Sequence, residues 1–424
     1  MIVAERVLGY LHPLLAGLAD APGDEPAFWG RMADERTPLI EPDPASPGFS
    51  LVTYVFRDPD AAHVVFDDTR FPQEVSDFVM ERIPGTGVWH TTYRYRNDVR
   101  AAYYFQPNMP LVSVNCDETE YVAFWEFLRG VPSKPDPNAR ETFVSCAGDG
   151  LPDNVASILS LLDAPDQSII EERPGLARGR VEEYLLKSEV LSNDRRIWVY
   201  TPPGYASDER AYPLIVVFDG AAALSVMPTP RILDNLLADG RIAPAVAAFI
   251  GNANDRSRAV ELACNEDFAQ FIETELIPWV RDRYGVSRDP KDAFVTGSSY
   301  GGLAALWLGL RLPHLIGNVI SQSASLWWGP GVDLEKPPSL WRYTPGWLTD
   351  QYASAPRLPL RIWMEVGLME LEDRMVRTNR RMAAVLREKG YDALTYSEFA
   401  AGHDWSHWRV SLAQALTLML PPIP

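Results

Sequence analysis

Cysteine is scarce in this chain, with three among 424 residues: Cys116, Cys146 and Cys264. No pair has C-x-x-C or zinc-ligand spacing, which argues against a disulfide framework and against a structural metal. An odd, sparse count fits free thiols in a reducing compartment. Basic residues are outnumbered, 39 Lys and Arg against 57 Asp and Glu, for a net charge of −18. That field repels nucleic acid and anionic membrane surfaces, so neither is expected as a partner. No stretch approaches the roughly 20 apolar residues of a membrane helix. Residues 1–10 lack both a basic region and a long apolar run, so no secretory signal is read there and the expected location is the cytoplasm. No internal repeat or low-complexity segment stands out. Histidine is also rare, at six.

Apolar residues are plentiful, at 46%. Single cores rarely grow past about 250–300 residues, so this length predicts two domains. Residues 1–26 read as a short helical or loose lead segment. Residues 27–165 are rich in β-branched and aromatic runs, as at 50–56, 90–96 and 101–105. Turn signals separate these runs, and a small β-sandwich is expected. Residues 133–139 read as a rigid, turn-rich segment without strand character. Residues 166–180 read as a linker. From about 181 to 424 the order is strand, strand, helix, strand, helix, elbow, helix, strand, helix, strand, loop histidine. That alternation predicts an α/β domain.

The elbow is Gly297-Ser298-Ser299-Tyr300-Gly301. A short apolar strand precedes it, and a helix rich in Ala and Leu follows. A strand, a sharp turn and a helix are what a G-x-S-x-G nucleophile elbow needs to expose a serine hydroxyl. Ser299 is therefore the candidate nucleophile, on an α/β-hydrolase frame. In that frame the base comes last in chain order. His314 lies too close to the elbow helix. His403, in a loop after Gly402, is the expected base, with His407 as the second choice. The orienting acid should follow the strand that ends at Gly367. Glu370 is preferred and Glu372 and Asp373 stay open; all three also suit the first turn of the next helix. The oxyanion hole is expected from the backbone N–H of Tyr300 and of Gly220 or Ala221, at the end of the strand 213–218.

Other residues surround this frame. Arg256 and Arg258 follow the strand 245–250, at the end where α/β sheets bind ligands. They could meet an anionic substrate, or pair with Asp255, Glu261 or Glu266. Trp327 and Trp328 follow the strand 318–322 and are candidates to line the pocket. Trp341 and Trp347 fall in a Pro-rich insertion, residues 329–359, that reads as a lid or a surface loop.

The chain resembles the enterochelin (enterobactin) esterase family of esterase D-like α/β-hydrolases. In the C-terminal half the resemblance rests on residues 192–205, Val217-Phe218-Asp219-Gly220 and Cys264-Asn265-Glu266-Asp267-Phe268. It continues through the elbow, Ser321-Gln322-Ser323-Ala324-Ser325-Leu326-Trp327-Trp328 and Gly402-His403-Asp404-Trp405-Ser406-His407-Trp408-Arg409. In the N-terminal part, Phe28-Trp29, Thr37-Pro38-Leu39-Ile40-Glu41, residues 52–57 and residues 134–140 are similar to the family. Two departures stand out. Ala221-Ala222-Ala223 replaces a region where the family often carries an aromatic residue, and the acidic turn after Gly367 is longer. The resemblance implies a serine esterase that opens the trilactone of ferric catecholate siderophores and so releases iron. Iron would be cargo, with no cofactor and no catalytic metal. The alternatives are a hydrolase or acyltransferase acting on another natural-product ester or amide, and a siderophore-binding protein with an idle triad. Homo-oligomerisation is left open.

Overall fold

The computed structural model describes residues 3–68, 74–113, 115–145, 154–207, 211–332 and 346–422. The N-terminal part holds strands Ala4–Arg6 (β1), Leu39–Pro42 (β2), Phe49–Arg57 (β3), Val64–Asp67 (β4), Glu81–Arg82 (β5), Val88–Arg96 (β6), Arg100–Pro107 (β7), Glu141–Ser145 (β8) and Asn154–Ser160 (β9). They make two antiparallel sheets. One has the order β1-β6-β3-β2 with β5 on β6; the other is β4-β7-β9-β8. Side chains alternate along β3 between two covered faces, so the strand is buried on both sides. Val52, Tyr54 and Phe56 enter the core between the sheets, with Tyr93, Tyr95, Phe66, Tyr103 and Phe105. Val55 points the other way, onto the helices Pro13–Asp20 and Glu25–Glu35. The inter-sheet core is aromatic: Tyr54 and Phe66 rings lie 4.1 Å apart and Phe56 and Phe105 4.5 Å apart.

The C-terminal part is one eight-stranded sheet. Its strands are Arg180–Ser188 (β10), Asn193–Thr201 (β11), Leu214–Val217 (β12), Val246–Ile250 (β13), Ala293–Ser298 (β14), Asn318–Gln322 (β15), Arg361–Gly367 (β16) and Leu394–Phe399 (β17). The order is β10-β11-β13-β12-β14-β15-β16-β17. The strands from β13 onward are parallel, while β10 and β11 run antiparallel. Helices cover both faces, so the central strands read as continuous apolar runs. Leu214 and Val216 face one core, with the elbow helix Tyr300–Arg311. Ile215 and Val217 face the other, with the helices Thr229–Ala238 and Trp405–Met419. Strand order reverses at β12, between β13 and β14, and the crevice at such a switch point is where these sheets bind ligands. This is an α/β-hydrolase fold with a β-sandwich before it. Among the described residues no helix is long and apolar enough to cross a membrane.

Several expectations are corrected. The lead segment takes the helical of its two readings, with Leu15 and Leu18 of the helix Pro13–Asp20 buried, and what the sequence did not show is β1, paired with the edge of β6. The sandwich region also carries the helix Glu118–Gly130, whose Asp117 and Glu120 form a capping box. Residues 133–139 form no strand, as expected, and are tied down by isolated bridges, with Lys134 and Phe105 exchanging both backbone hydrogen bonds. The sheet holds β17, beyond the sequence-read order; its residues are only half-buried, so it lacks the strong apolar run of its neighbours. The C-terminal half of the insertion is not a lid. The helix Trp347–Ser354 buries Leu348 and Tyr352, and the Tyr352 hydroxyl donates to the Leu306 carbonyl at 2.7 Å. Trp341 and Cys146 lie outside the described residues. Cys116 and Cys264 are free and buried.

Candidate active site

β14 runs straight into the elbow. Ser299 sits at φ 60°, ψ −117°, a backbone conformation a non-glycine residue rarely adopts. Such strain costs about 1–3 kcal/mol and survives only where surrounding structure enforces it. Here the Ser299 N–H donates to the Gln322 carbonyl at 2.9 Å, and its own carbonyl accepts from Leu303 at 3.0 Å and Ser325 at 3.1 Å. Gly297 is required by close approach, because a Cβ there would lie 2.8 Å from Gly301 Cα. The Ser299 hydroxyl is part-buried and 3.2 Å from the Ser325 hydroxyl.

At the end of β16 the chain turns at Gly367, and Glu370 folds back beneath it. Its Oε1 accepts from Gly367 N–H at 2.9 Å and from the Ser323 hydroxyl at 2.5 Å. Its Oε2 lies 2.8 Å from His403 Nδ1. The Glu370 side chain is fully buried, while His403 keeps 21% of its side chain exposed. A carboxylate with one oxygen tied to the backbone and the other on an imidazole holds that ring in one tautomer. The Trp408 ring sets an edge against His403 at 4.8 Å, and Trp408 Nε1 donates to Ser323 Oγ at 3.1 Å.

The rival residues lie elsewhere. Glu372 pairs with Arg380 at 3.3 Å and Asp373 with Arg377 at 2.6 Å, all well exposed. His407 does not face solvent. It is buried against Glu365, with Nε2 3.1 Å from Oε2 and its ring 4.3 Å from Phe399. Glu365 also accepts from Ser411 at 2.6 Å and Gln322 at 3.2 Å, a satisfied polar network beneath the sheet edge. His314 is exposed on Glu273 at 2.9 Å.

Beyond β12, Asp219 takes a left-handed conformation (φ 54°) and Gly220 opens a short helix, Gly220–Leu224. Gly220 and Ala221 thus stand one strand away from Tyr300, the first residue of the elbow helix. Here the expectation for Arg258 is corrected. Its guanidinium grips the buried Asp219 carboxylate at 2.6 and 2.8 Å, and Asn252 adds a third bond at 3.0 Å. The partners read from sequence are engaged elsewhere: Glu261 with Arg195, Glu266 with Arg311. Sequence distance hid the partner, which lies 39 residues upstream. Burial alone would raise the Asp219 pKa; Arg258 more than offsets it, so the carboxyl is held below its usual range. Arg256 is exposed on the same helix, Asp255–Glu261. Trp327 packs its ring against Tyr300 at 5.9 Å, beside the elbow. Trp328 turns instead onto Trp347, at 5.7 Å.

The Asp219–Arg258 pair carries a stability prediction. Asp219→Asn is expected to cost about 1–3 kcal/mol in chemical denaturation, less than a fully buried pair because Arg258 reaches solvent. The lowered carboxyl pKa contributes stability that is fully present above the unfolded value. It is lost as pH falls through the folded value, so the gap between wild type and variant should close below about pH 4. A gap that persists in acid would mean that the charge is not its source.

Sequence reasoning missed Ser323, Ser325, Trp408 and Asp404. All four stand inside stretches singled out as motifs, and only the folded chain shows which of them touch the acid, the base or the nucleophile.

A part-buried serine on an elbow, with a carboxylate-bound loop histidine on the same sheet, defines the class as a carboxylic ester hydrolase of α/β-hydrolase fold. Residues 188–419 match the family model described as "Putative esterase", and residues 51–170 match "Enterochelin esterase, N-terminal". The iron(III) enterobactin esterase of Dickeya dadantii (strain 3937) is 29% identical, covering 95% of this chain and 94% of its own length. That of Escherichia coli (strain K12) is 31% identical over 81% of this chain and 82% of its own. The crystal structure of the Shigella flexneri enterobactin esterase in the presence of enterobactin has a TM-score of 0.71 and 28% identity. It covers 93% of this chain and 97% of that one. The chain belongs to the enterochelin esterase family.

Proposed function

We propose that this chain is a serine esterase that hydrolyses the lactone bonds of ferric catecholate siderophores and so weakens their hold on iron. The observation that carries the reading is the buried Glu370 bound to His403 on the sheet that bears Ser299, in a chain matched over 95% of its length by an iron(III) enterobactin esterase. Ser299 Oγ attacks a lactone carbonyl, and His403 takes its proton through Nε2 while Glu370 accepts the Nδ1–H. The backbone N–H of Tyr300, with that of Gly220 or Ala221, holds the oxyanion; such donors typically contribute about 3–4 kcal/mol each to the transition state. His403 returns the proton to the leaving serine hydroxyl of the scaffold, and water then clears the acyl-enzyme. Iron travels with the substrate.

In this reading the sandwich, residues 27–165, and the α/β domain, residues 181–424, are separate units joined through residues 166–180. The enzyme works in the cytoplasm. Arg256 and Trp327, beside the elbow, supply substrate contacts, while Trp328 backs that wall through Trp347. Arg258 acts through Asp219 instead, by fixing the turn before Gly220.

The test is turnover of a panel of trilactone siderophores, ferric and iron-free, followed by mass spectrometry. Each cleavage should add one water, opening the ring to a linear trimer. An added alcohol appearing in the products would point to acyl transfer. Binding without any covalent serine adduct would mean an idle triad.

Substrate charge gives a second prediction. A trianionic iron complex must meet local cations in a chain of net charge −18. Arg256→Ala should raise KM several-fold for the ferric siderophore and little for a small neutral ester. Salt should weaken only the first substrate, since screening acts on charged pairs. Equal losses on both substrates would make Arg256 structural.

A further inference from the structure

The acid and the base arrive on two loops at one edge of the hydrolase sheet. Glu370 follows β16, and His403 follows β17, the outermost strand. The loops hold each other: Leu368 N–H donates to Phe399 O at 2.7 Å, and Met369 N–H to Ala401 O at 3.0 Å. On their other side stands β7 of the sandwich. Arg100 N–H donates to Ala400 O at 3.2 Å, and Arg100 and Ala401 form a parallel bridge. Two side chains of the loops leave their own domain altogether. Met369 and Ala400, each 5% exposed, lie in the aromatic core between the sandwich sheets.

Asp404, next after His403, completes the junction. It is 4% exposed. One carboxylate oxygen caps the C-terminal helix, accepting from Ser406 N–H at 2.8 Å and from the Ser406 hydroxyl. The other accepts the Ala102 N–H of β7 at 3.2 Å, across 302 residues of sequence. Behind it Glu141 of β8 binds both Arg100 of β7, at 2.9 Å, and Arg409 of that helix, at 3.3 Å.

We propose that the sandwich is a working part of the catalytic centre, and that Asp404 is a positioning residue that clasps the His403 loop to β7. An edge loop with free backbone groups would sample many conformations. Here the backbone bridge, the buried Met369 and the Asp404 clasp each remove freedom within two residues of Glu370 or His403. Helix capping alone does not need the second oxygen, because Ser and Asn serve as N-caps about as well as Asp. Misplacing a catalytic group by about 1 Å can cost about 100-fold in rate. The inference rests on the Ser299, His403 and Glu370 reading above.

The experiment uses the full chain with Asp404→Ser and Asp404→Asn. Serine keeps a cap but is too short for Ala102. Asparagine keeps the size and one acceptor at the cap, and turns an amide NH2 toward the Ala102 N–H. Both should lower kcat about 10- to 100-fold on p-nitrophenyl acetate, with KM within about twofold and the covalent labelling of Ser299 by a fluorophosphonate slowed in step. This small ester makes the result independent of which siderophore is the substrate. Wild-type kcat in Asp404→Ser would overturn the proposal and leave Asp404 a helix cap. So would a loss that disappears when the assay is cooled well below the variant's Tm, because that loss is stability alone. Ser299→Ala and Glu370→Gln are run alongside. If those two turn over normally, the underlying triad reading has failed rather than the clasp.

Discussion

Ser299→Ala is expected to reduce ester turnover by a factor on the order of 10⁴–10⁶ while the protein stays folded. The substitution removes one part-buried hydroxyl whose side-chain contact is the Ser325 hydroxyl at 3.2 Å. It takes nothing from either core of the hydrolase sheet. What remains should be the slow reaction that an oxyanion hole and binding support without a nucleophile. The same residue gives a stability signature. At φ 60°, ψ −117° both serine and alanine are strained, and glycine is not. Ser299→Gly should therefore melt higher than Ser299→Ala, by about 1 kcal/mol after the greater chain entropy of glycine is counted. Serine bears the same strain as alanine there, so Ser299→Gly should also exceed the active enzyme in stability, the trade expected where strain serves chemistry. Wild-type turnover in Ser299→Ala would sink the mechanism as a whole. Equal stability of the two variants would sink only the strain argument.

The elbow was legible because its chemistry is local. Gly297, Ser299 and the helix after them lie within fifteen residues, and the turn constrains residue type at each position. The same holds for β3 and β6, whose runs of aromatic and β-branched residues declare strands, here buried on both faces. What was not legible was made by distance. Arg258 reads as a cation placed for substrate, and only the fold brings Asp219 under it. β1 is three residues long and gains its structure from the edge of β6, so no local pattern announces it. β17 is half-buried along its length and carries no apolar stripe. Helix Trp347–Ser354 looked like part of a lid because its neighbours are prolines, yet Tyr352 is fully buried. For the acid the sequence favours Glu370, by its place just past Gly367, but does not exclude Glu372 and Asp373. Glu370, Glu372 and Asp373 have the same chemistry and nearly the same position, and the choice among them depends on which way one turn folds after Gly367.

That choice sets the final prediction. Glu370→Gln should lower kcat by about 10²–10⁴, whereas Glu372→Gln and Asp373→Asn should stay near wild type. Glutamine preserves shape and leaves one oxygen to accept from Gly367 N–H and Ser323 Oγ. Its amide NH2 then faces His403 Nδ1, where an acceptor stood at 2.8 Å. The ring must answer by carrying its proton on Nε2, and an Nε2–H cannot take the proton of Ser299. The loss is therefore a tautomer effect, and it should appear in kcat with little change in KM. His403→Ala should be nearly as damaging as Ser299→Ala, and the double variant scarcely worse than either, because the groups act as one unit. The measurement is kcat and KM for all the single variants and for the Ser299→Ala/His403→Ala double variant, on one neutral ester. Additive losses would mean that Ser299 and His403 do not work together. A full loss in Glu372→Gln or Asp373→Asn, with Glu370→Gln unaffected, would move the acid to a surface carboxylate that now pairs with an arginine. The histidine would then have to leave a buried partner to reach it.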